Sequence, residues 1–216
     1  EQAVTPVIFK TDTLKTAIRE IILENSKFDN ATIQANTDNL IAKLSENMEP
    51  KSLIDLLDQY FSAFDGIVAQ HNVEKIKTIG DAYMCASGLP AENRGHAIEI
   101  CLAGLEFQRY LTRANTQREK LRMPRWDLRL GIHTGPVMAG VVGKYKFTYD
   151  IWGDSVNVAA LMEQASEPGQ INISETTYQK VKDLFEIKPR GTVATAKKGD
   201  ITMYFLDRLK PEFSED

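Results

Sequence analysis

Apolar residues recur along this chain at two spacings, and the switches between them mark out its elements. From Pro50 onward, Leu53, Leu56, Leu57, Tyr60, Phe61, Phe64, Ile67 and Val68 keep the 3.6-residue period of a helix with one buried face. That period runs to about residue 70, and Pro50 suits the first turn, where a missing N–H leaves nothing unpaired. The stretch "VEKIKTIGDAYMCASG" then changes to β-type residues on either side of Gly80-Asp81. Both turn residues tolerate backbone angles that other side chains resist, so the stretch reads as a hairpin, ended by "LPAENRG". A second long helix is predicted over residues 95–116, carrying Ile98, Cys101, Leu102, Leu105 and Phe107, and "QREKLRMPR" reads as a charged connector.

Beyond it, "WDLRLGIHTG" and "PVMAGVVG" predict two strands and "FTYDIWG" a third. The helix "SVNVAALMEQA" follows, with Asp154 or Ser155 expected as its cap. Strand "INISE", helix "TTYQKVKDLF" and the strand-like "IKPRGTVATA" and "ITMYFLD", separated by "KKGD", complete the pattern. Ahead of Pro50, residues 12–27 place Leu14, Ala17, Ile18, Ile21 and Ile22 near one helical face, and "ATIQA" (31–35) predicts a short strand. The expected division is a strand/helix lead-in or linker over 1–27, one domain over 28–210 and a tail over 211–216. Strand, helix, hairpin, helix, strands, helix is the order of an α+β, ferredoxin-like βαββαβ core with a C-terminal extension.

Composition narrows the function classes. With 216 residues, 43% hydrophobic, 26% charged and a formal net charge of −4, the chain has apolar content for one sizeable core. It lacks the basic face that a nucleic-acid partner requires. No apolar run approaches the roughly 18 residues of a membrane span, and no signal-peptide pattern is present. The domain itself is therefore expected to be cytoplasmic and without membrane contact, any anchor being left to a full-length chain. Cys85 and Cys101 lie in strand-like and helix-like runs and read as buried thiols. His71, His96 and His133 have no zinc-ligand spacing.

Singly, the polar positions have bland readings: Asp81 as a turn former, Lys77 as a solvated strand charge, Asn157 as a polar residue of a helix's first turn. "GIHTGPVMAGVVG" fits neither GxxxxGK[ST] nor GxGxxG. Together, "KIKTIGDAYMCASGLP", "LRLGIHTGPVMAGVVG" and "FTYDIWGDSVNVAALMEQA" stand in an order and spacing that resemble the catalytic domain of class III nucleotidyl cyclases. The resemblance covers about residues 27 to 207. Its most specific string is "YDIWGDSVNVA", and "SENMEPKSLIDLLDQYFSAFD" is similar to the family's first helix.

This resemblance implies that a ribose 3′-oxygen attacks the α-phosphate of a nucleoside triphosphate and pyrophosphate leaves. Two divalent ions, Mg2+ or Mn2+, would be held by two aspartates on neighbouring strands, and Asp81 matches the second. Lys77 matches the purine-reading position, Asp150 its partner, and Asn157 the asparagine that orients the reacting ribose. A lysine donor with an aspartate acceptor suits adenine N1 and its 6-amino group, whereas guanine reverses that pattern. ATP is thus the expected substrate. The family's sites lie between two subunits, so a homodimer or a heterodimer with another cyclase domain is expected.

Three departures qualify this expectation. Counting back from "KLSENMEP", Thr37 stands where the resemblance places the first metal aspartate, and Leu40 where it places a glycine. Asp38 is one residue off, a step that turns a strand side chain to the opposite face. Leu161 takes the place of a transition-state arginine, and Ala196 that of a phosphate-contacting lysine, with Lys197 and Lys198 beside it. One lost electrostatic contact of this kind costs about 2.7–4 kcal/mol in the barrier. The expectation is therefore an adenylyl-cyclase-type domain making cyclic AMP and pyrophosphate at a dimer interface, at reduced rate. The alternative is a catalytically silent pseudo-cyclase that acts as a dimerisation or nucleotide-sensing module.

Overall fold

The computed structural model describes residues 2–11, 50–123, 125–195 and 199–214. The predicted helix at 12–27 and strand at 31–35 lie outside those residues, as do Thr37, Asp38, Leu40 and the 196–198 segment. The apolar run from Pro50 forms helix α1 (Pro50–Gln70), and the hairpin follows as β2 (Val73–Ile79) and β3 (Ala82–Ser87). Gly80 supplies the turn's left-handed backbone at φ 60°. Helix α2 (His96–Lys120) runs past the predicted end and absorbs the start of the charged connector. Arg118 and Lys120 in its last turn complement the negative end of the helix dipole, which favours that extension.

Strands β4 (Leu128–Ile132), β5 (Gly135–Val142) and β6 (Thr148–Trp152) lead into helix α3 (Asp154–Gln164). Its N-cap is Gly153, with no side-chain cap bond; neither Asp154 nor Ser155 takes that role. The Ser155 hydroxyl is instead donated to the Pro136 carbonyl at 2.7 Å, which ties the helix start to β5. Strand β7 (Ile171–Ser174), helix α4 (Glu175–Val181) and the long hairpin β8 (Phe185–Thr195) and β9 (Gly199–Leu209) close the fold.

With Gln2–Thr11 as β1, the sheet order is β2-β3-β1-β4-β7-β9-β8, and β5 and β6 form a ribbon that joins through β1. Strand β1 (Gln2–Thr11) pairs antiparallel with β3 and with β4. The first four strands therefore have the ferredoxin-like arrangement that the element order predicts. The strand beside the Asp81 hairpin is Gln2–Thr11, from the stretch read as a lead-in; the residues around Thr37, where sequence counting put the first metal aspartate, lie outside the described residues.

Alternation sets two faces. Tyr83 and Cys85 turn towards α1 and α2, where Phe64, Ile100, Phe107, Leu128, Leu130 and Ile132 form the main core. Met84 and Ala86 turn the other way and pack with Ile76, Leu89, Val137 and Ile151 under the β5–β6 ribbon. Both cysteines are free and buried, and burial pushes both thiols up. Helix α3 also lies on this second face, directly over β4. Gly131 permits that approach, since a Cβ there would sit 2.0 Å from the Glu163 nitrogen and 2.5 Å from the Ala159 carbonyl oxygen. Arg129, two residues earlier and on the same face, pairs with Glu163 of α3 at 2.9 Å.

Candidate nucleotide and metal site

Lys77 and Asp150 are 73 residues apart in sequence, and the fold brings them together. Lys77 Nζ on β2 donates to Asp150 Oδ2 on β6 at 2.6 Å. The Asp150 side chain is 14% exposed and the Lys77 side chain 36%, so the pair is part-buried. The other oxygen, Asp150 Oδ1, accepts from the Ile151 backbone N–H at 2.9 Å. That bond fixes the carboxylate's rotation and leaves Lys77 two further protons for a ligand. Asp81 sits in the hairpin turn, just beyond Ile79 and directly before Ala82.

The start of α3 carries the other predicted group. Asn157 is exposed in its first turns, and Leu161 lies one turn further on the same helical face. Leu161 packs against Val158, Met162 and Met203, with Val193 and Ile201 beside them. The position given to a cationic arginine is thus part of an apolar cluster between α3 and the β8–β9 hairpin. Gly199 closes that hairpin opposite Thr195 at φ 70°; the Ala196 expectation lies outside the described residues.

A metal centre has a sparser donor set. The β1 sequence QAVTPVIFKT contains no aspartate or glutamate, although its Lys10 pairs with Ala82 next to Asp81. Among the described residues, no group of three or more His, Cys, Asp or Glu is placed to hold a metal ion. Asp81 suits one contact with a hard cation. The described residues do not fit the two-ion, two-aspartate centre.

A cleft of about 460 Å³ lies beside this region, lined by His133, Thr134, Trp152, Asp154, Ser155 and Thr176 among others. None of Lys77, Asp81, Asp150 or Asn157 lines it, so the residues singled out in the sequence lie outside the cleft. Sequence reasoning missed what stands behind the cleft wall. His133 Nδ1 is 2.8 Å from the Ser174 hydroxyl, and Ser174 is 3.3 Å from Thr177. Thr177 and Thr134 are 3.0 Å apart, as are Thr134 and Thr5, and Thr5 meets His96 Nδ1 at 2.7 Å. This buried chain satisfies polar groups drawn from β1, β7, α2, α4 and the β4–β5 turn. Burial, and then Lys180, lower the pKa of His96. Each member is an unremarkable Ser, Thr or His in its own segment, so no local signal announces the chain.

The β5–β6 ribbon leaves Met138, Val141, Val142, Tyr145 and Phe147 exposed, Tyr145 at 94%. A run of apolar side chains on one hairpin marks an interaction surface more often than a free one.

Comparison with known proteins places these features in a family. The model of the "Adenylate and Guanylate cyclase catalytic domain" matches residues 24–208. An adenylate cyclase of Mycobacterium tuberculosis is 37% identical over 193 residues, covering 89% of this chain and 42% of that protein. Guanylate cyclase 2G of Rattus norvegicus is 37% identical over 203 residues, covering 90% of this chain and 18% of its own. The chain thus spans less than half the length of these relatives. The crystal structure of the guanylate cyclase domain of RhGC from Catenaria anguillulae, in complex with GTP, superposes with a TM-score of 0.77 at 25% identity. That superposition covers 97% of this chain and 98% of that one. No helix among the described residues is long and apolar enough to cross a membrane. Fold, motif order and sequence agree: the chain belongs to the adenylate and guanylate cyclase catalytic domain family.

Proposed function

We propose that this domain binds ATP at a dimer interface and converts it to cyclic AMP and pyrophosphate at a low rate. The observation that carries the reading is the Lys77–Asp150 pair, a donor beside an acceptor 2.6 Å away on the adjoining ribbon. Adenine offers an acceptor at N1 and a donor at the 6-amino group, and guanine offers the reverse along that edge. Lys77 and Asp150 read the base while Asn157, exposed on α3, orients the ribose whose 3′-oxygen attacks. The exposed apolar run on the β5–β6 ribbon supplies the contact with a second subunit. Divalent ions, when bound, activate the attacking oxygen and neutralise the phosphates. Asp81 is the residue of this chain that meets such an ion, and no step is derived through a second one.

A second reading has its own observation. Leu161 is half-buried against the apolar cluster of Val158, Met162 and Met203, so its position offers an apolar contact and no cation. Together with a β1 strand that has no carboxylate, this favours a catalytically silent domain that senses nucleotide or dimerises.

The test is an ATP-to-cyclic-AMP assay with Mn2+ on the purified domain, beside two repaired proteins. One combines Thr37→Asp with Leu161→Arg, following sequence counting. The other combines Thr11→Asp with Leu161→Arg, because the register carried one step beyond Lys10↔Ala82 sets Thr11 opposite Asp81. A parent as fast as an ordinary cyclase refutes the depleted site. A silent parent that binds ATP and gains turnover in either repaired protein establishes the silent reading, and names the strand that holds the metal.

A further inference from the structure

Lys75 and Lys77 are two residues apart on β2, and in a regular strand they would share a face. They do not. Lys75 Nζ donates to Asp65 Oδ2 of α1 at 2.8 Å and lies 5.1 Å from the centre of the Tyr83 ring, on the helical face. Lys77 reaches Asp150 on the ribbon face.

The register explains the difference. Lys75 is opposite Cys85 and Lys77 is opposite Met84, so Ile76 is an extra residue against an unbroken β3. Such a bulge re-aims the side chains that follow it. Cys85 and Tyr83 belong to the core under α1 and α2, and Met84 and Ala86 to the cluster under the ribbon. Ile76 is buried with Met84 and Ala86, so the bulge puts Ile76 and Lys77 on the ribbon face together.

The Lys-Ile-Lys sequence does not by itself say which lysine meets Asp150. A one-residue slip would offer the wrong one, with the same chemistry. What separates the two lysines is the anchor at Asp65. Its Oδ2 accepts from Lys75, and its Oδ1 accepts from the Tyr83 hydroxyl at 2.6 Å. Tyr83 is fully buried in the main core, so this carboxylate is tied to a fixed point of β3 as well as to β2.

We propose that Asp65 is a positioning residue for Lys77: by holding Lys75 on the helical face, it fixes the bulge at Ile76 and turns Lys77 to the purine-reading face. This rests on the reading of Lys77 as the adenine contact. Asp65 lies on α1 and on the opposite side of the sheet, and it acts only through the register of β2.

The experiment measures ATP and GTP dissociation constants and thermal midpoints of the dimer-competent domain for the parent, Asp65→Asn, Lys75→Met and Lys77→Met, and for a charge swap combining Asp65→Lys with Lys75→Asp. Asp65→Asn and Lys75→Met are each expected to weaken ATP binding about fivefold and to lower the ATP:GTP preference, within the range of coupled residues in one network. The swap, which re-forms the ion pair, is expected to recover at least half of the lost preference. Lys75 is 37% exposed, so Lys75→Met keeps the test open if Asp65→Asn does not fold. A lowered thermal midpoint with an unchanged ATP:GTP ratio in both single variants overturns the proposal and leaves a merely structural brace. If Lys77→Met itself keeps the parent's affinity and preference, the adenine reading fails, and the positioning role falls with it.

Discussion

Replacing Gly131 by alanine tests the seat of helix α3. The added Cβ would lie 2.0 Å from the Glu163 nitrogen, 2.5 Å from the Ala159 carbonyl oxygen and 2.6 Å from the Glu163 Cα. All three atoms are helix backbone, so no side chain can swing aside. Ordinary contact begins at 3.4 Å, which means the helix must withdraw by about 1.4 Å or the strand must bend. Overpacking of this kind costs about 1–3 kcal/mol, and a clash with backbone alone places Gly131→Ala at the upper end. For a chain of this size about 3 kcal/mol lowers the thermal midpoint by roughly 6–12 °C. The same withdrawal moves Asn157, and a displacement near 1 Å at reacting groups costs about 10²-fold in rate. The assay is thermal unfolding by circular dichroism, with ATP binding and cyclisation measured on the folded fraction. Gly66→Ala is the control: it sits inside α1 with nothing within 4 Å of its Cβ, and should stabilise by about 0.5–1 kcal/mol. A Gly131→Ala protein that unfolds within about 1 °C of the parent refutes the close seating of α3 on β4.

Three further outcomes follow from the site and its supports. Lys77→Glu combined with Asp150→Cys reverses the donor and acceptor order, so competition binding should shift from ATP towards GTP; no shift counts against the adenine assignment. Arg129→Met leaves Glu163 as a buried carboxylate without its cation and should cost about 3–5 kcal/mol in urea unfolding, a loss that a Glu163→Gln partner change partly relieves. His96 has a folded-state pKa below its ordinary 6.5, so the unfolded chain binds the proton more readily. Stability should therefore hold above pH 6.5 and fall as pH drops through that value towards the folded pKa, and His96→Asn should flatten the fall in pH-dependent urea midpoints.

How much was legible depended on whether the determining contact was local. The helical period from Leu53 to Val68 is a relation among residues three and four apart, and α1 formed where it predicts. The hairpin around Gly80-Asp81 is equally local, and the β-type runs on either side became β2 and β3. The "YDIWGDSVNVA" string carried the family resemblance, and it holds Asp150 and Asn157, the proposed purine partner and ribose contact, within eight positions. The second helix ran beyond its predicted end because Arg118 and Lys120, read as connector, complement a helix C-terminus as well as solvent.

The sequence by itself thus determined the family and the α+β element order, and it named the residues proposed to read adenine and to meet a cation. Tertiary structure decided which strand fills the sheet beside the Asp81 hairpin, since pairing of Gln2–Thr11 with β3 spans some seventy to eighty residues and leaves no periodic trace. It decided that Lys75 and Lys77 part company at Ile76, because a bulge is defined only against the partner strand's count. It also decided that Gly131 is the floor under α3 and that Leu161 packs, half-buried, against the cluster of Val158, Met162 and Met203. Periodicity reports which side of an element is apolar. What that side meets, and at what distance, is fixed only when the layers close on one another.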